Sequence, residues 1–293
     1  MQSKRTPEGN ASGKQASITG DVGHCAEPPA RTALRADGRG GAAALRLDKR
    51  THLYRKELEY RVRLHDYGDG LAEIGWSFLT NRKSNKAGRG QSDNQEGNQN
   101  RSARRAKSSL RQLILAAGCD HLLTLTYREN LTDFTLSSHH LTKFLRKVKA
   151  RFPEWVYVAV PEKQKRGAWH WHLAVIGRQD VNFLRECWLF VVGEGNIDVQ
   201  PPPRGKKNRR MSIVTYLSKY LTKGFAEGHL ELNGHRYRAS LGIVIPCEVI
   251  HVPLEARECV ADFITDCLRA RAGDVSFAWV DSSGMAGWAC CFK

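Results

Sequence analysis

The chain has 293 residues, of which 46 are basic and 30 are acidic, so its formal net charge at pH 7 is +16. That excess favours a polyanionic partner, with nucleic acid the leading candidate. No apolar run approaches the roughly 20 residues of a membrane-spanning helix, and the polar N-terminus lacks a signal-peptide pattern, so we expect a cytoplasmic protein. The eight cysteines include no C-x-x-C pair, which argues against a zinc site.

The N-terminal part of the chain shows little periodicity. Residues 1–45 are rich in Gly, Ala, Ser, Pro and Arg and are expected to form a flexible, disordered tail. Residues 46–104 are expected to be an N-terminal extension followed by a basic, low-complexity linker that nucleic acid would order. Within the extension, Tyr54, Leu58 and Val62 have a helix-like spacing.

Alternating strands and helices are predicted over residues 105–245. Short apolar runs predict buried strands, and apolar residues at i, i+3, i+4 and i+7 predict amphipathic helices. The predicted elements, in order, are a helix over 109–117, a strand over 122–127, a helix around 141–148, strands over 155–160 and 169–176, a helix capped by Asp180, a strand over 196–200, and a helix over 212–223 ended by Gly224. Residues 246–293 are expected to form a small C-terminal module, with a helix over 254–272 and a hairpin of 276–280 with 287–292.

This order predicts an α+β fold. From the first strand it runs β-α-β-β-α-β-α, which is typical of a ferredoxin-like or RRM-like antiparallel sheet with flanking helices. In that arrangement the helices cover one face of the sheet and leave the other face open. We expect the open face to receive nucleic acid.

A pair of histidines on one predicted strand is the strongest chemical feature. His170 and His172 are two residues apart, so a strand places both imidazoles on one face, pointing outward, while Trp171 enters the core. Glu162 ends the preceding strand, and the turn at residues 163–167 folds it back beside the histidines, so we nominate it as a third metal ligand. Two imidazoles and a carboxylate leave positions free for phosphate oxygens and water, which favours Mg²⁺ or Mn²⁺ over zinc.

The predicted helix over 212–223 carries two tyrosines and two lysines. At about 100° per residue, Tyr216 and Tyr220 lie about 40° apart, with Lys223 about 20° to the other side of Tyr216. Lys219 and Lys223 each follow a tyrosine by three residues, so each phenol has a neighbouring ammonium group that favours the phenolate. The helix therefore predicts a tyrosine nucleophile that a metal ion assists.

Two basic runs bracket these features and are expected to hold DNA phosphates. They are Lys163, Lys165 and Arg166, before the histidine strand, and Arg204, Lys206, Lys207, Arg209 and Arg210, before the tyrosine helix.

These residues resemble three motifs of the HUH endonucleases, in the family's order. The motifs are residues 123–127, Glu162 with residues 167–172, and residues 216–220, and the resemblance covers residues 105–245. The paired tyrosines are similar to those of the two-tyrosine rolling-circle replication initiators of phages and plasmids.

The resemblance implies a function. One tyrosine would attack a phosphodiester in single-stranded or hairpin origin DNA, leaving a covalent 5′-phosphotyrosine and a free 3′-OH that primes synthesis. The second tyrosine would cut the regenerated origin, so that the released strand closes into a circle. The chain lacks G-x-x-x-x-G-K-[ST], so a host helicase and polymerase are expected as partners, in the cytoplasm of a bacterial host cell.

Two alternatives stay open from the sequence. A relaxase or transposase of the same superfamily would carry the same histidine pair and a helix-borne tyrosine. A non-enzymatic DNA-binding regulator would use these side chains only to stack and to form hydrogen bonds.

Overall fold

The computed structural model describes residues 59–79, 91–201, 209–226, 236–253 and 259–292. Over these ranges the chain forms ten strands and five helices, arranged as two antiparallel sheets of five strands each. The α+β class is therefore confirmed. The tail expected at residues 1–45 lies outside the described ranges. None of the described helices is long and apolar enough to cross a membrane.

The strands are β1 (Glu59–Asp66), β2 (Leu71–Phe78), β3 (His121–Tyr127), β4 (Tyr157–Lys163), β5 (Trp169–Val175), β6 (Gly195–Gln200), β7 (Arg238–Ala239), β8 (Glu248–Pro253), β9 (Phe277–Val280) and β10 (Ala286–Phe292). The helices are α1 (Gln95–Ala117), α2 (Phe134–Arg151), α3 (Val181–Val192), α4 (Arg209–Ala226) and α5 (Val260–Ala272). We call the sheet β6-β3-β5-β4-β7 the histidine sheet, since β5 carries His170 and His172, and the sheet β8-β1-β2-β10-β9 the terminal sheet.

The histidine sheet has the predicted organisation. From β3 to α4 the elements follow the order β-α-β-β-α-β-α, and β3, β4, β5 and β6 pair antiparallel. Helices α2 and α3 cover one face, where Phe144 and Trp188 pack with Trp171 in a fully buried core. The side chain of Asp180 accepts a hydrogen bond from the backbone N–H of Phe183 at 3.1 Å, so the predicted cap of α3 is present.

The second face of the histidine sheet is not open, so that prediction was wrong. Leu110 and Ile114 of α1 and Leu217 and Leu221 of α4 pack on it, and Ala174 contributes the strand side of this core. The covering was missed because α1 begins at Gln95 rather than near residue 109. Its first turns are polar and carry no apolar period, so the sequence there resembles a linker.

Helix α4 also runs further than predicted. Gly224 does not end it, since the helix continues to Ala226. Phe225 is 7% exposed and packs in the core beneath the helix, and that burial favours one more turn over the glycine's tendency to end it.

The terminal sheet combines residues from both ends of the described chain. β1 and β2 form a hairpin, β8 pairs with β1, and β10 pairs with β2 and β9. The predicted C-terminal hairpin is therefore present, but it shares a sheet with residues 59–78 instead of forming a module by itself. Val62 lies in a strand, so the helix-like interpretation of that stretch was wrong. Tyr60, Val62 and Leu64 alternate onto the face that α5 covers, and two-residue alternation decided the outcome.

A buried carboxylate joins the terminal sheet to α1. Glu73 of β2 is 1% exposed and accepts hydrogen bonds from Tyr67 Oη at 2.8 Å, Arg111 Nε at 2.8 Å, Gln112 Nε2 at 3.0 Å and Trp288 Nε1 at 3.2 Å. Burial, with the adjacent Glu73 carboxylate, raises the pKa of Tyr67, so this phenol stays a hydrogen-bond donor. A buried charge with four donors is fully satisfied and fixes the register between helix and sheet.

Replacing Glu73 tests this junction. Glu73→Ala should lower the free energy of unfolding by about 3 kcal/mol, because it leaves the buried guanidinium and three other donors without their acceptor. Urea denaturation followed by circular dichroism measures the change. The matched control is Glu194→Ala, whose carboxylate and its partner Arg128 are both 77% exposed; its effect should stay below about 0.5 kcal/mol. Equal losses in the two variants would contradict the role of Glu73.

Candidate active site

The predicted site residues meet where α4 crosses the histidine sheet. Glu162 of β4 lies directly opposite His170 of β5 in the strand register, and Thr124 of β3 lies opposite His172. The imidazoles share the face that α4 covers. They do not point into solvent as expected, since His170 is 6% exposed and His172 is 4% exposed.

Both ring nitrogens of His172 and one ring nitrogen of His170 are held by neighbouring side chains. His172 Nε2 lies 2.8 Å from Glu162 Oε2, and His172 Nδ1 lies 3.2 Å from Thr124 Oγ1. His170 Nδ1 lies 3.3 Å from Gln164 Nε2. Among the described residues, the buried Nε2 of His170 has no hydrogen-bond partner. This orphaned nitrogen is the one polar atom of the histidine pair left for a ligand.

Burial keeps His170 neutral. Removal from water, together with the neighbouring His172, lowers the pKa of His170 to about 4. A neutral imidazole has a lone pair on one nitrogen, and the tautomer with its proton on Nδ1 would present that lone pair at the unpartnered Nε2.

The two tyrosines of α4 lie directly on the histidine strand. The ring of Tyr220 stacks on that of His172, with centroids 4.1 Å apart and planes 12° apart, and Tyr216 meets the same imidazole edge-on at 5.7 Å. Tyr220 Oη donates a hydrogen bond to Tyr216 Oη at 2.8 Å. Both phenol oxygens therefore lie together at one end of the imidazole pair.

The lysines do not play the part predicted for them. Lys223 Nζ donates to Glu162 Oε1 at 3.1 Å and to the backbone oxygen of Lys163 at 2.9 Å. Lys219 lies exposed on the far side of α4, where it lines a cavity between α4, α1 and β10. Burial and the hydrogen bond with Tyr216 raise the pKa of Tyr220, so this phenol is protonated at neutral pH rather than held as a phenolate.

Glu162 links the imidazoles to the helix through its charge. Burial alone would raise its pKa, but hydrogen bonds from His172 and Lys223 outweigh burial and hold the pKa of Glu162 below its usual value. The carboxylate is thus ionised and shared between strand and helix. With the side chains in these positions, the described residues contain no group of three His, Cys, Asp or Glu arranged to hold a metal ion.

The basic residues predicted to bind DNA have different surroundings. Lys165, Arg166 and Arg209 are exposed. Lys163 is half-buried, with Nζ 5.8 Å from the ring centroid of Trp169. Arg204, Lys206 and Lys207 lie outside the described residues.

Arg210 is engaged within the fold. Its guanidinium donates to Asp69 Oδ2 at 2.8 Å and to the backbone oxygen of Tyr67 at 3.4 Å, both in the turn between β1 and β2. It joins α4 to the terminal sheet instead of offering a free charge to a phosphate.

Two contributors were missed from the sequence. Thr124 and Gln164 orient the two imidazoles, yet neither belongs to a conspicuous motif of charged or nucleophilic residues. Alternation along β3 could have placed Thr124 on the imidazole face. Its pairing with His172 needed the register between β3 and β5, which local sequence does not provide.

The structure defines a mixed sheet-and-helix domain with buried imidazoles beneath a pair of tyrosines. Residues 120–225, about a third of the chain, match the family model described as replication-associated protein ORF2. That segment runs from the end of α1 to α4 and includes the histidines, Glu162 and both tyrosines. The match supports a replication initiator. Comparisons with curated proteins and with solved structures gave no significant match.

The tie between α4 and Glu162 can be tested by titration. Lys223→Met should raise the pKa of Glu162, because it removes a hydrogen bond and a positive charge that favour the carboxylate. Carboxyl chemical shifts followed by NMR across acid pH measure this. Lys219→Met is the matched control on the same helix and should leave that pKa unchanged. A larger rise in the Lys219 variant would contradict the geometry.

Proposed function

We propose that this chain is a rolling-circle replication initiator of the two-tyrosine HUH type. It would nick and rejoin single-stranded or hairpin origin DNA through a covalent 5′-phosphotyrosine, with a divalent metal ion. One observation carries the proposal: Tyr220 stacks on His172 at 4.1 Å and shares a hydrogen bond with Tyr216, so two nucleophile candidates lie on the imidazole pair. The match of residues 120–225 to a replication-associated family supports the same interpretation.

The chemistry follows from the phenols. The attacking phenol oxygen forms a bond to phosphorus while the bond from phosphorus to the 3′ oxygen breaks. The phenol loses its proton and the departing 3′ oxygen gains one, so the charges balance. Because the pKa of Tyr220 is raised, its proton leaves during the attack rather than before DNA arrives. Its hydrogen bond to Tyr216 gives that proton a first acceptor.

Three side chains would hold the metal ion. His170 offers an unpartnered, buried Nε2 on a neutral ring, and His172 and Glu162 meet at 2.8 Å beside it. The donor types fit Mg²⁺ or Mn²⁺, with the proton between His172 and Glu162 being what metal binding displaces. When bound, the ion polarises the phosphate under attack. The chain's own part is to keep the imidazoles neutral and the carboxylate ionised.

Two tyrosines allow two linked strand transfers. The first adduct conserves the energy of the phosphodiester, so the released 3′-OH can later attack it and close a circle without ATP. The second phenol is placed to cut the regenerated origin, since the two oxygens are 2.8 Å apart. Unwinding and synthesis would come from a host helicase and polymerase, in the cytoplasm of a bacterial cell that carries the phage or plasmid.

Exposed basic side chains would hold the DNA backbone. Lys165 and Arg166 lie in the turn between β4 and β5, and Arg209 begins α4, so they flank the site on two elements. Phosphate contacts of this kind give affinity that falls with salt and carry no base preference.

Removing both phenols tests the proposal. With Mn²⁺, the chain should cleave overlapping single-stranded oligonucleotides that span the replicon carrying its gene, and Tyr216→Phe/Tyr220→Phe should reduce cleavage by a factor of roughly 10³ or more. Denaturing gels of labelled DNA measure both products and protein-bound DNA. Tyr157→Phe, in the opposite core, is the matched control and should cleave normally. Cleavage that never yields protein-bound DNA would contradict a tyrosine nucleophile.

Removing one imidazole separates chemistry from binding. His170→Ala should abolish cleavage, as should chelation of the metal, while DNA retention stays near that of the parent because the exposed basic residues remain. Electrophoretic mobility shift and cleavage are measured on the same samples. Full cleavage by His170→Ala would contradict its role as a ligand.

A further inference from the structure

One face of the terminal sheet is not part of the site described above. On its other face, α5 covers Val62, Ile74 and their neighbours. Residues opposite one another in an antiparallel register share a face, and Trp279 of β9 pairs with Trp288 of β10, which pairs in turn with Gly75. The row continues onto β1, where Gly75 pairs with Arg63.

This face, which we call the aromatic-basic face, combines rings with cations. Its members are Phe277, Trp279, Trp288, Phe292, Arg61 and Arg63. Phe277 is 58% exposed and Trp279 is 53% exposed, although both are large rings. Within the described part of the chain, no ion pair engages Arg61 or Arg63. Glu59 on the same face is already paired with His251 at 2.7 Å.

Trp288 is the fixed point of the face. Its Nε1 donates to the buried Glu73 at 3.2 Å, and the guanidinium of Arg111 lies 4.7 Å from its ring centroid. Phe277 lies 5.9 Å and Phe292 lies 6.3 Å from the same ring. A ring held at its polar edge loses little further freedom when a flat partner stacks on it.

A cavity leads from this face towards the tyrosines. Its volume is about 430 Å³, and its walls include Trp288 and Phe292 from β10, Lys107 and Arg111 from α1, and Lys219 from α4. Lys219 is the residue immediately before Tyr220. Cations and aromatic rings therefore continue from the terminal sheet to the helix that carries the phenols.

We propose that the aromatic-basic face and this cavity bind single-stranded DNA next to the cleaved phosphate; this rests on the proposed function. Exposed rings stack on bases of any sequence, and Arg and Lys beside them bind the backbone. Charge complementarity favours a polyanion, because the free charges on the face are positive in a chain of net charge +16. The terminal sheet thus extends the DNA path beyond the histidine sheet.

The test measures affinity in a chain that cannot cleave. In the Tyr216→Phe/Tyr220→Phe background, Trp279→Ala should weaken binding of fluorescein-labelled oligothymidylate by roughly five- to a hundredfold, as measured by fluorescence anisotropy. Trp279→Phe keeps a ring and should restore most of the affinity. The matched control is Phe263→Ala, a ring 40% exposed on α5 behind the same sheet, which should bind like the parent. Equal affinities for Trp279→Ala and Phe263→Ala would overturn the proposal.

The charges are tested by salt. Arg63→Ala should reduce the slope of log affinity against log salt by about 0.7, the value for one phosphate contact on a single strand. Arg269→Ala, exposed on α5, is the control and should leave the slope unchanged. If Trp279→Ala changes only the oligomeric state in gel filtration, the face contacts protein and the proposal is wrong.

The outcomes also separate this proposal from the function it rests on. Normal nicking by the parent, with affinity insensitive to Trp279→Ala, overturns the aromatic-basic face alone. Weakened oligothymidylate binding in Trp279→Ala, in a protein whose parent never nicks DNA, supports the face and overturns the initiator function.

Discussion

The packing of α4 across β4 and β5 is the contact on which the rest of the structure depends. Leu217 and Leu221 seal one side of the helix on the apolar part of the sheet. The helical period then turns Tyr216 and Tyr220 onto His172. An aromatic pair contributes only about 0.5–1.5 kcal/mol beyond burial, so the apolar stripe holds the helix and the rings set its rotation.

That packing also decides the charge state of the site. By covering the imidazoles it lowers the pKa of His170 to about 4 and keeps the ring neutral. It brings Lys223 to Glu162, so the one carboxylate beneath the helix is ionised and balanced on two sides. A helix that lay elsewhere would leave a solvated histidine pair and an exposed carboxylate, with no phenol beside them.

The sequence was most informative where local period and chemistry agreed. Alternation placed His170 and His172 on one face, and helical spacing placed the tyrosines together, because both depend on fewer than two turns or three residues of chain. The covering of the second face was missed because α1 begins with polar residues that have no apolar period. The partners of Lys223 and the pairing of β2 with β10 depend on contacts between distant segments, which local patterns do not specify.

The central claim is that one phosphate reaches both the imidazole pair and a phenol. Peptide mass mapping after reaction with a suicide oligonucleotide and Mn²⁺ tests it most directly, since a trapped adduct cannot be released. The claim predicts a nucleotide mass on the peptide that contains Tyr216 and Tyr220, and no such mass when His170 is replaced by Ala. An adduct on any other peptide, or cleaved DNA with no adduct on the protein, would contradict it.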